Sequence, residues 1–305
     1  MIKRIIRKVA SSIGTHIHIP GNSHNETILL ATGTMLSKQQ FGMHSTNIND
    51  YEFRIFSQFG DDGIIQYLIK HVKIENELFI EFGVGNYLES NTRFLMMNNN
   101  WSGFVMDASE ADMNALKKQD WYWQYCLTQK AVFIDKDNIN GLLAETGFSN
   151  IGLLHIDLDG NDYHILEHLD LSRLNPSIII MEYNAVFGKE RAISVPYDKS
   201  FDRTRAHYSN LFLGASLAAM NHMAEQKGYA LVGCNLAGNN AYFVRKDLLN
   251  DRIKAVPVAD AYKESRFRES RNQDYTLSYV SGSKRSELIK GLYVVNVLTN
   301  QLEKF

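Results

Sequence analysis

The sequence predicts an α/β protein with a doubly wound sheet of seven strands, of which the last is antiparallel to the others. Three observations support this prediction. From Leu78 onwards, short apolar runs alternate with segments of helical periodicity, as in a parallel sheet that is covered by helices. Two glycines, Gly83 and Gly85, end the first apolar run and form a tight turn into a helix. The final two runs, 229–234 and 240–245, are joined by a turn alone, so the last strand reverses direction.

The predicted elements alternate along the chain. The strands are 78–83, 103–107, 125–132, 152–158, 177–184, 229–234 and 240–245. The helices between them are 91–99, 109–118, 138–147, 162–169 and 214–227. A further helix precedes the first strand, because Ile64, Ile65, Leu68, Ile69 and Val72 form an apolar stripe. Gln58, Asp61 and Asp62 stand at its start, where they cap the helix or contact a ligand.

The chain divides into three parts. Residues 1–50 form an N-terminal arm, which we expect to be irregular apart from a short helix near 36–41. Residues 51–250 form the α/β domain, which is interrupted by an insertion at 185–213. Residues 251–305 form a C-terminal extension that ends in a turn, a helix and a short strand, and such an extension can support a homo-oligomer.

Composition narrows the functional class. The chain has 305 residues, 45% of them hydrophobic, and a formal net charge of −2. This charge provides no basic surface for DNA or RNA, so we predict no nucleic-acid partner. No apolar run reaches the roughly 20 residues that span a bilayer. Cys126 and Cys234 lie far apart without metal-binding spacing, and we predict that both are reduced and buried in a cytoplasmic protein.

The first 14 residues form a basic segment with helical periodicity. Ile2, Ile5, Ile6 and Val9 fall on one helical face, and Lys3, Arg4, Arg7 and Lys8 fall on the others. Two interpretations stay open: a solvated helix, or a helix that lies on an anionic membrane surface and places the protein peripherally at the inner membrane face.

The turn after the first strand predicts a nucleotide-like ligand. Gly83 and Gly85 lack the Cβ that would keep a ligand from the backbone, and the helix after Ser90 offers unpaired N–H groups. The third glycine of a dinucleotide-binding turn is replaced by Leu88, so NAD is disfavoured.

Two acidic residues extend this pattern. Glu81 precedes the glycine turn, and Asp107 ends the next strand. The ordered set resembles the class I methyltransferases that depend on S-adenosylmethionine (SAM), whose Rossmann-like sheet of seven strands also ends in an antiparallel strand. The resemblance implies that SAM is the cofactor. It places Glu81, Gly83 and Gly85 near the methionine moiety, Asp107 on the ribose hydroxyls, and Asn91 or the pair Ala131 and Val132 near the ribose or adenine.

A second motif covers Leu153–Leu166. It resembles the Ile-Asp-x-x-Gly-x-x-x-x-x-Leu signature of the FkbM-type methyltransferases, with Asp159 where that family usually has Glu. The resemblance implies methylation of a hydroxyl group, mostly of sugars and polyketides. The strand period places His155, Asp157 and Asp159 on one face, at the sheet edge where α/β folds bind ligands. We therefore predict catalytic roles for these three residues.

The next strand ends with Glu182 and Asn184, again two residues apart. Together with Asp157 and Asp159 they offer hard oxygen ligands to one volume, which suits Mg²⁺, Mn²⁺ or Ca²⁺. The arrangement resembles the divalent site of catechol O-methyltransferase, although the spacing differs. In the metal-free alternative, Asp157, Glu182 or a histidine accepts the proton of the acceptor hydroxyl.

The insertion at 185–213 is expected to cover the substrate. It carries Tyr197, Arg203, His207 and Tyr208, whose aromatic and charged mixture suits a sugar or an acidic small molecule, and Asn184 is expected to join them. A plain surface loop is the alternative.

The sequence therefore predicts a SAM-dependent methyltransferase that O-methylates a sugar or another small hydroxyl compound, with Mg²⁺ or Mn²⁺ as a possible second cofactor. The alternatives are N-methylation, another transferase reaction on the same fold, and a binding or scaffold protein without catalysis.

Overall fold

The computed structural model describes residues 21–305, and side chains from residue 25 onwards, so the basic segment 1–14 lies outside the described residues. The longer helices are α1 (Gly21–Gln39), α2 (Asp61–His71), α3 (Arg93–Asn99), α4 (Glu110–Lys117), α5 (Ile139–Glu145), α6 (Asp162–His168), α7 (Arg203–Ala206), α8 (Leu217–Gln226), α9 (Val258–Ala261) and α10 (Ser283–Leu288). The strands are β1 (Asn76–Phe82), β2 (Ser102–Asp107), β3 (Leu127–Ala131), β4 (Ile151–Ile156), β5 (Ile178–Glu182), β6 (Ile193–Ser194), β7 (Tyr229–Cys234), β8 (Asn240–Arg245), β9 (Tyr293–Asn296) and β10 (Gln301–Lys304).

Seven strands form one sheet in the order β3-β2-β1-β4-β5-β8-β7. Strands β1 to β5 pair in parallel, whereas β8 pairs antiparallel with both β5 and β7. The predicted fold class, a Rossmann-like sheet with its last strand antiparallel, is therefore confirmed. The chain order reverses on either side of β1 and β4, so the carboxyl ends of these strands border the crevice where α/β sheets bind ligands.

Helices cover both faces of the sheet. The residues of β1 alternate between two apolar clusters: Ile80 and Phe82 lie in one, and Phe79 lies in the other. This alternation is the period-two pattern of a strand that is buried on both faces. Glu81 points to the same face as Phe79 and is also buried, which singles it out as a polar residue with partners of its own.

The N-terminal arm differs from the prediction, because α1 is a helix rather than an irregular segment. Several of its apolar side chains, such as Ile28 and Met35, are exposed, so the segment shows no amphipathic period from which the sequence could predict it. The helix is held instead by close packing of Gly33 against Phe94 in α3, since a Cβ added at Gly33 would lie 2.5 Å from the Phe94 ring. Cys126 also differs from the prediction, since it is exposed, whereas Cys234 is buried.

The C-terminal extension adds a second, small sheet. Its strands follow the order β10-β9-β6, so the extension pairs directly with the insertion at 185–213. Phe187, Ile193, Leu211, Ile289 and Val294 form a separate apolar cluster beneath it. The extension is thereby fixed to the domain on the side of β5. Within residues 21–305, no helix combines the length and the apolar character that crossing a membrane requires.

Gly141 offers a test of helix α5. Its position is helical and exposed, and a Cβ built there meets nothing within 4 Å. We expect Gly141→Ala to raise the free energy of unfolding by about 0.5–1 kcal/mol, because alanine loses less backbone entropy on folding than glycine does. Chemical denaturation measures the change, and a destabilised variant would contradict the helical assignment.

Candidate active site

Two adjoining cavities open at the carboxyl ends of β1, β2, β4 and β5. The larger cavity has a volume of about 430 Å³ and the smaller one about 220 Å³. Gly83, Asp157 and Asp159 line both, so these three residues mark the junction between them. A ligand in one cavity can therefore contact a ligand in the other at this junction.

The glycine turn shapes the junction. Gly83 has a φ of +70°, and a Cβ there would lie 1.8 Å from the backbone oxygen of Asp157. Gly85 has a φ of +50°, but a Cβ there would meet nothing within 4 Å. The backbone thus approaches the Asp157 backbone too closely at Gly83 for any side chain, whereas Gly85, which lines neither cavity, has open space around it.

Asp107 lies beside this turn at the wall of the smaller cavity. Its carboxylate accepts hydrogen bonds from the backbone N–H of Gly85 at 2.8 Å and of Ser109 at 2.7 Å. The side chain is half-buried, and the smaller cavity is also lined by Met106, Ala108 and Val132. A carboxylate above an apolar slot is suited to a group that carries hydroxyls beside a flat ring.

Glu81 organises the start of the following helix. Its buried carboxylate accepts hydrogen bonds from the Ser90 hydroxyl at 2.7 Å and from the backbone N–H groups of Asn91 and Thr92 at 3.0 and 3.1 Å. The Thr92 hydroxyl also donates to it. Glu81 and Asn91, the predicted cofactor residues, both line the larger cavity, and the carboxylate of Glu81 is occupied by these internal bonds.

His155 completes the Glu81 cluster. Its Nδ1 donates to the Glu81 carboxylate at 2.8 Å, and its Nε2 lies 3.2 Å from the amide nitrogen of Asn91. Burial works against charge on both groups, but their mutual hydrogen bond and attraction outweigh it, so the pKa of His155 is raised and that of Glu81 is lowered. His155 is therefore a partner of Glu81, and it orients the wall of the cavity.

Three carboxylates meet at the other side of the junction. Asp157, Asp159 and Glu182 each present an oxygen within 4.8 Å of the others. Burial, followed by the negative charge of Asp159, raises the pKa of Asp157 to about 8. Burial, followed by the charge of Asp157, also raises the pKa of Glu182 well above its usual value. The sequence prediction that these strand ends converge agrees with the geometry.

Asn184, the predicted fourth member, points elsewhere. Its amide nitrogen donates to the backbone oxygens of Leu211 and Leu213 at 2.9 and 3.0 Å, and its oxygen accepts from the N–H of Val186 at 2.9 Å. The side chain thus fixes the path of the insertion. Because all of these bonds are internal, Asn184 offers no free oxygen to the carboxylate cluster.

The insertion contributes one of its four predicted residues to the cavities. Arg203 lines the larger cavity and binds the carboxylates of Asp159 and Glu269, each at 2.5 Å. Tyr197 packs against His164, with ring centroids 5.6 Å apart. His207 contacts Ser209 and the ring of Tyr208. Tyr197, His207 and Tyr208 line neither cavity, so the structure brings only Arg203 to the carboxylates.

Sequence reasoning missed part of the larger cavity. Its additional lining residues are Phe59, Asn239, Asn240, Phe267 and Glu269. The last two come from the C-terminal extension, whose segment 262–271 is fixed by backbone bonds from Arg266 to Ala237 and from Arg271 to Ser209. No motif marks these residues in the sequence, because they reach the site only through tertiary packing.

Gln58, Asp61 and Asp62, the polar residues at the start of α2, are predicted to cap the helix or to contact a ligand. Gln58 lines the larger cavity. Asp62 accepts hydrogen bonds from the backbone N–H groups of Ile55, Phe56 and Ser57 and so fixes the preceding loop. Asp61 accepts from the amides of Asn235 and Asn240. Neither acid caps α2 by a side-chain bond, since the N-cap position is Gly60.

No protein-family model matches the chain, and no curated protein matches it. Solved structures of similar fold include the N-terminal domain of EvdMO1 with SAH bound, with 11% identity and a TM-score of 0.41 over 62% of this chain and 80% of that one. TrmK from M. capricolum in complex with SAH has 12% identity and a TM-score of 0.37 over 67% and 76%. A SAM-dependent methyltransferase from Clostridium acetobutylicum has 9% identity and a TM-score of 0.38 over 60% and 89%.

The strand order and the antiparallel last strand show a Rossmann-like sheet in this chain. These solved structures have low identities and TM-scores, so the similarity assigns no chemistry to this chain.

Proposed function

We propose that this protein is a SAM-dependent methyltransferase that methylates a hydroxyl group of a sugar-like small molecule, as FkbM-type enzymes do. One observation carries the proposal: the two cavities meet at Asp157, a carboxylate whose pKa burial, followed by the charge of Asp159, raises to about 8. A methyl donor in one cavity and an acceptor in the other would then meet beside a group that can take up a proton.

The smaller cavity suits the nucleoside part of SAM. The carboxylate of Asp107 would accept hydrogen bonds from the ribose hydroxyls, and the apolar slot beside Val132 would hold the adenine. Gly83 lines both cavities, so the remainder of the cofactor would extend past Gly83 towards the junction. The acidic surroundings favour the positively charged sulfonium.

Asp157 is the proposed proton acceptor. Methyl transfer needs an in-line approach of the hydroxyl oxygen to the methyl carbon, so the positioning of both ligands supplies most of the acceleration. As the oxygen forms its bond to the methyl carbon, the bond from that carbon to the sulfonium sulfur would break and leave SAH, and the hydroxyl proton would pass to the Asp157 carboxylate. A base is most effective when its pKa lies near the working pH, and burial, followed by the charge of Asp159, brings the pKa of Asp157 to about 8.

In a second version of this proposal, a divalent cation assists the methyl transfer. Asp157, Asp159 and Glu182 would hold Mg²⁺ or Mn²⁺, since their oxygens lie within 4.8 Å of one another. When bound, such an ion would orient the hydroxyl and lower its pKa. Asn184 does not fit as a ligand because its amide is fully engaged. Activity with EDTA and with added Mg²⁺ or Mn²⁺ tests this form.

Calorimetric titration with SAM and with its demethylated product SAH tests the proposed function. We expect micromolar binding, about −8 kcal/mol. Asp107→Ala should weaken binding by about 10–100-fold, because it removes charged hydrogen bonds to the ribose. The matched control is Glu77→Ala, an exposed acid at the opposite end of β1. If neither ligand binds, the protein is no methyltransferase and the scaffold alternative replaces the proposal.

A further inference from the structure

The carboxylates of the larger cavity differ in whether they have a cationic partner. Glu81 is paired with His155, and Glu89 with the exposed Arg54 at 3.1 Å. Arg203 pairs with both Asp159 and Glu269. The two that remain are Asp157 and Glu182, whose side chains have no hydrogen bond and no ion pair within the described part of the chain. Arg203 attracts Glu182, and His155 attracts Asp157, only from a longer distance. These two carboxylates therefore lack a close cationic partner.

The two unmatched carboxylates differ in position. Asp157 lines both cavities, which places it where the methyl group is transferred. Glu182 lines the larger cavity alone, so it belongs to the part that would hold the acceptor. A cation beside Glu182 would supply the close cationic partner that this carboxylate lacks among the described residues.

Asn240 supplies an independent indication on the neighbouring strand. It is the cross-strand partner of Glu182, lines the same cavity, and is only 3% exposed. Its Nδ2 donates to Asp61 at 2.9 Å, which fixes the orientation of the amide. Its Oδ1 is buried without a hydrogen-bond partner. Buried acceptors of this kind are rare, and a donor from a ligand beside Asn240 would satisfy this atom.

Two aromatic rings flank the same space. Phe59 and Phe267 both line the larger cavity, and their rings stack with centroids 5.5 Å apart and an interplanar angle of 21°. Aromatic faces attract ammonium groups and the carbon atoms next to them. The two rings cover one face of each other, and the Arg285 guanidinium lies 5.9 Å from the centroid of Phe267, so an organic cation already contacts this pair.

We propose that the acceptor carries a protonated amine that binds between the Glu182 carboxylate and the Oδ1 atom of Asn240. Its neighbouring carbons pack against Phe59 and Phe267. The acceptor is then an amino alcohol or amino sugar, with the amine as the anchor and the hydroxyl directed towards Asp157. This inference rests on the proposed methyltransferase function, because it assigns the acceptor of that reaction.

Matched ligand pairs test the inference on the SAH-loaded full chain. Glucosamine is titrated against N-acetylglucosamine, and ethanolamine against ethylene glycol, which separates charge from shape. We expect each amine to bind at least tenfold more tightly than its neutral counterpart at neutral pH. The preference should disappear above the pKa of the amine, where the ligand loses its charge.

Glu182→Gln removes the charge and retains the shape of the side chain. It should lower amine affinity by about 10–100-fold and leave affinity for SAH unchanged. The matched control is Glu190→Gln, an exposed glutamate outside both cavities, which should change neither affinity. Phe267→Leu provides a second variant without a change of charge, and it should weaken amine binding several-fold.

Three outcomes would overturn the inference: no preference for the amines, a preference that survives in Glu182→Gln, or Mn²⁺ binding at Glu182 without amine binding. The SAH titration separates this failure from failure of the proposed function. If SAH binds and the amines show no preference, only the identity of the acceptor is wrong. If SAH does not bind, the methyltransferase proposal itself fails.

Discussion

Asp157→Asn should lower kcat by about 10²–10⁴-fold, the usual contribution of a positioned proton acceptor. The substitution retains the size of the side chain and removes both its charge and its capacity to accept a proton. Because Asp157 lies at the junction and makes no side-chain hydrogen bond to the described residues, the fold and the Asp107 wall should stay intact. Affinity for SAH is therefore expected to change by less than about threefold.

Single-turnover kinetics with a methyl acceptor, together with SAH titration, measure this effect. Asp170→Asn is the matched control, because Asp170 is an exposed acid just beyond α6. An unchanged kcat with unchanged SAH binding would remove Asp157 from the chemistry. Loss of SAH binding would instead assign Asp157 to the cofactor.

The pH dependence follows from the same residue. Burial and the neighbouring Asp159 raise the pKa of Asp157 to about 8 in the folded protein, from its ordinary value of 3.8. Activity that needs the carboxylate should therefore rise as the pH passes about 8. Between these two pKa values the folded state binds the proton and the unfolded state does not, so stability falls as the pH rises. At pH 8 and above, Asp157→Asn should raise the melting temperature by about 2–4 °C, equivalent to ~1 kcal/mol.

Much of this architecture could be predicted from the sequence because it depends on local patterns. The period of two in β1 and β4 fixes which side chains share a face, and the parallel order brings Asp157, Asp159 and Glu182 to one edge. The glycine turn is equally local, since Gly83 and Gly85 both have a positive φ. These features need only the near sequence and the general geometry of a parallel sheet.

The remainder depends on contacts between distant segments, which no local pattern encodes. Asn184 satisfied the strand period, but its amide is engaged by the backbone of the insertion about 30 residues later in the chain. Phe267 and Glu269 reach the cavity because backbone hydrogen bonds to Ala237 and Ser209 fix their segment of the C-terminal extension beside the site. Helix α1 is held by the close approach of Phe94 to Gly33. Because apolar side chains of α1 are exposed, the sequence shows no amphipathic period that would predict this helix.

Gly83→Ala should destabilise the protein by about 3 kcal/mol or more. The methyl group would lie 1.8 Å from the backbone oxygen of Asp157, and neither strand can move without losing its sheet pairing. Such overpacking costs about 1–3 kcal/mol and occasionally more. The positive φ of +70° adds about 1–2 kcal/mol for any residue with a Cβ. Chemical denaturation measures the loss of stability. The fraction of Gly83→Ala that folds should bind SAH more than tenfold more weakly than the unchanged protein, because the methyl group displaces Asp157 and the turn.

The variant Gly85→Ala introduces the backbone strain of a positive φ without the close contact to Asp157 that Gly83→Ala creates. Gly85 shares the positive φ, at +50°, but a Cβ there meets nothing within 4 Å. We expect a loss of only about 1–2 kcal/mol of stability. Because the Gly85 N–H donates to the Asp107 carboxylate that is proposed to bind the ribose, backbone strain at Gly85 should lower SAH affinity although the protein remains folded. Equal stability of Gly83→Ala and Gly85→Ala would show that the contact with Asp157 does not affect stability. Unchanged SAH binding by Gly85→Ala would place the cofactor elsewhere.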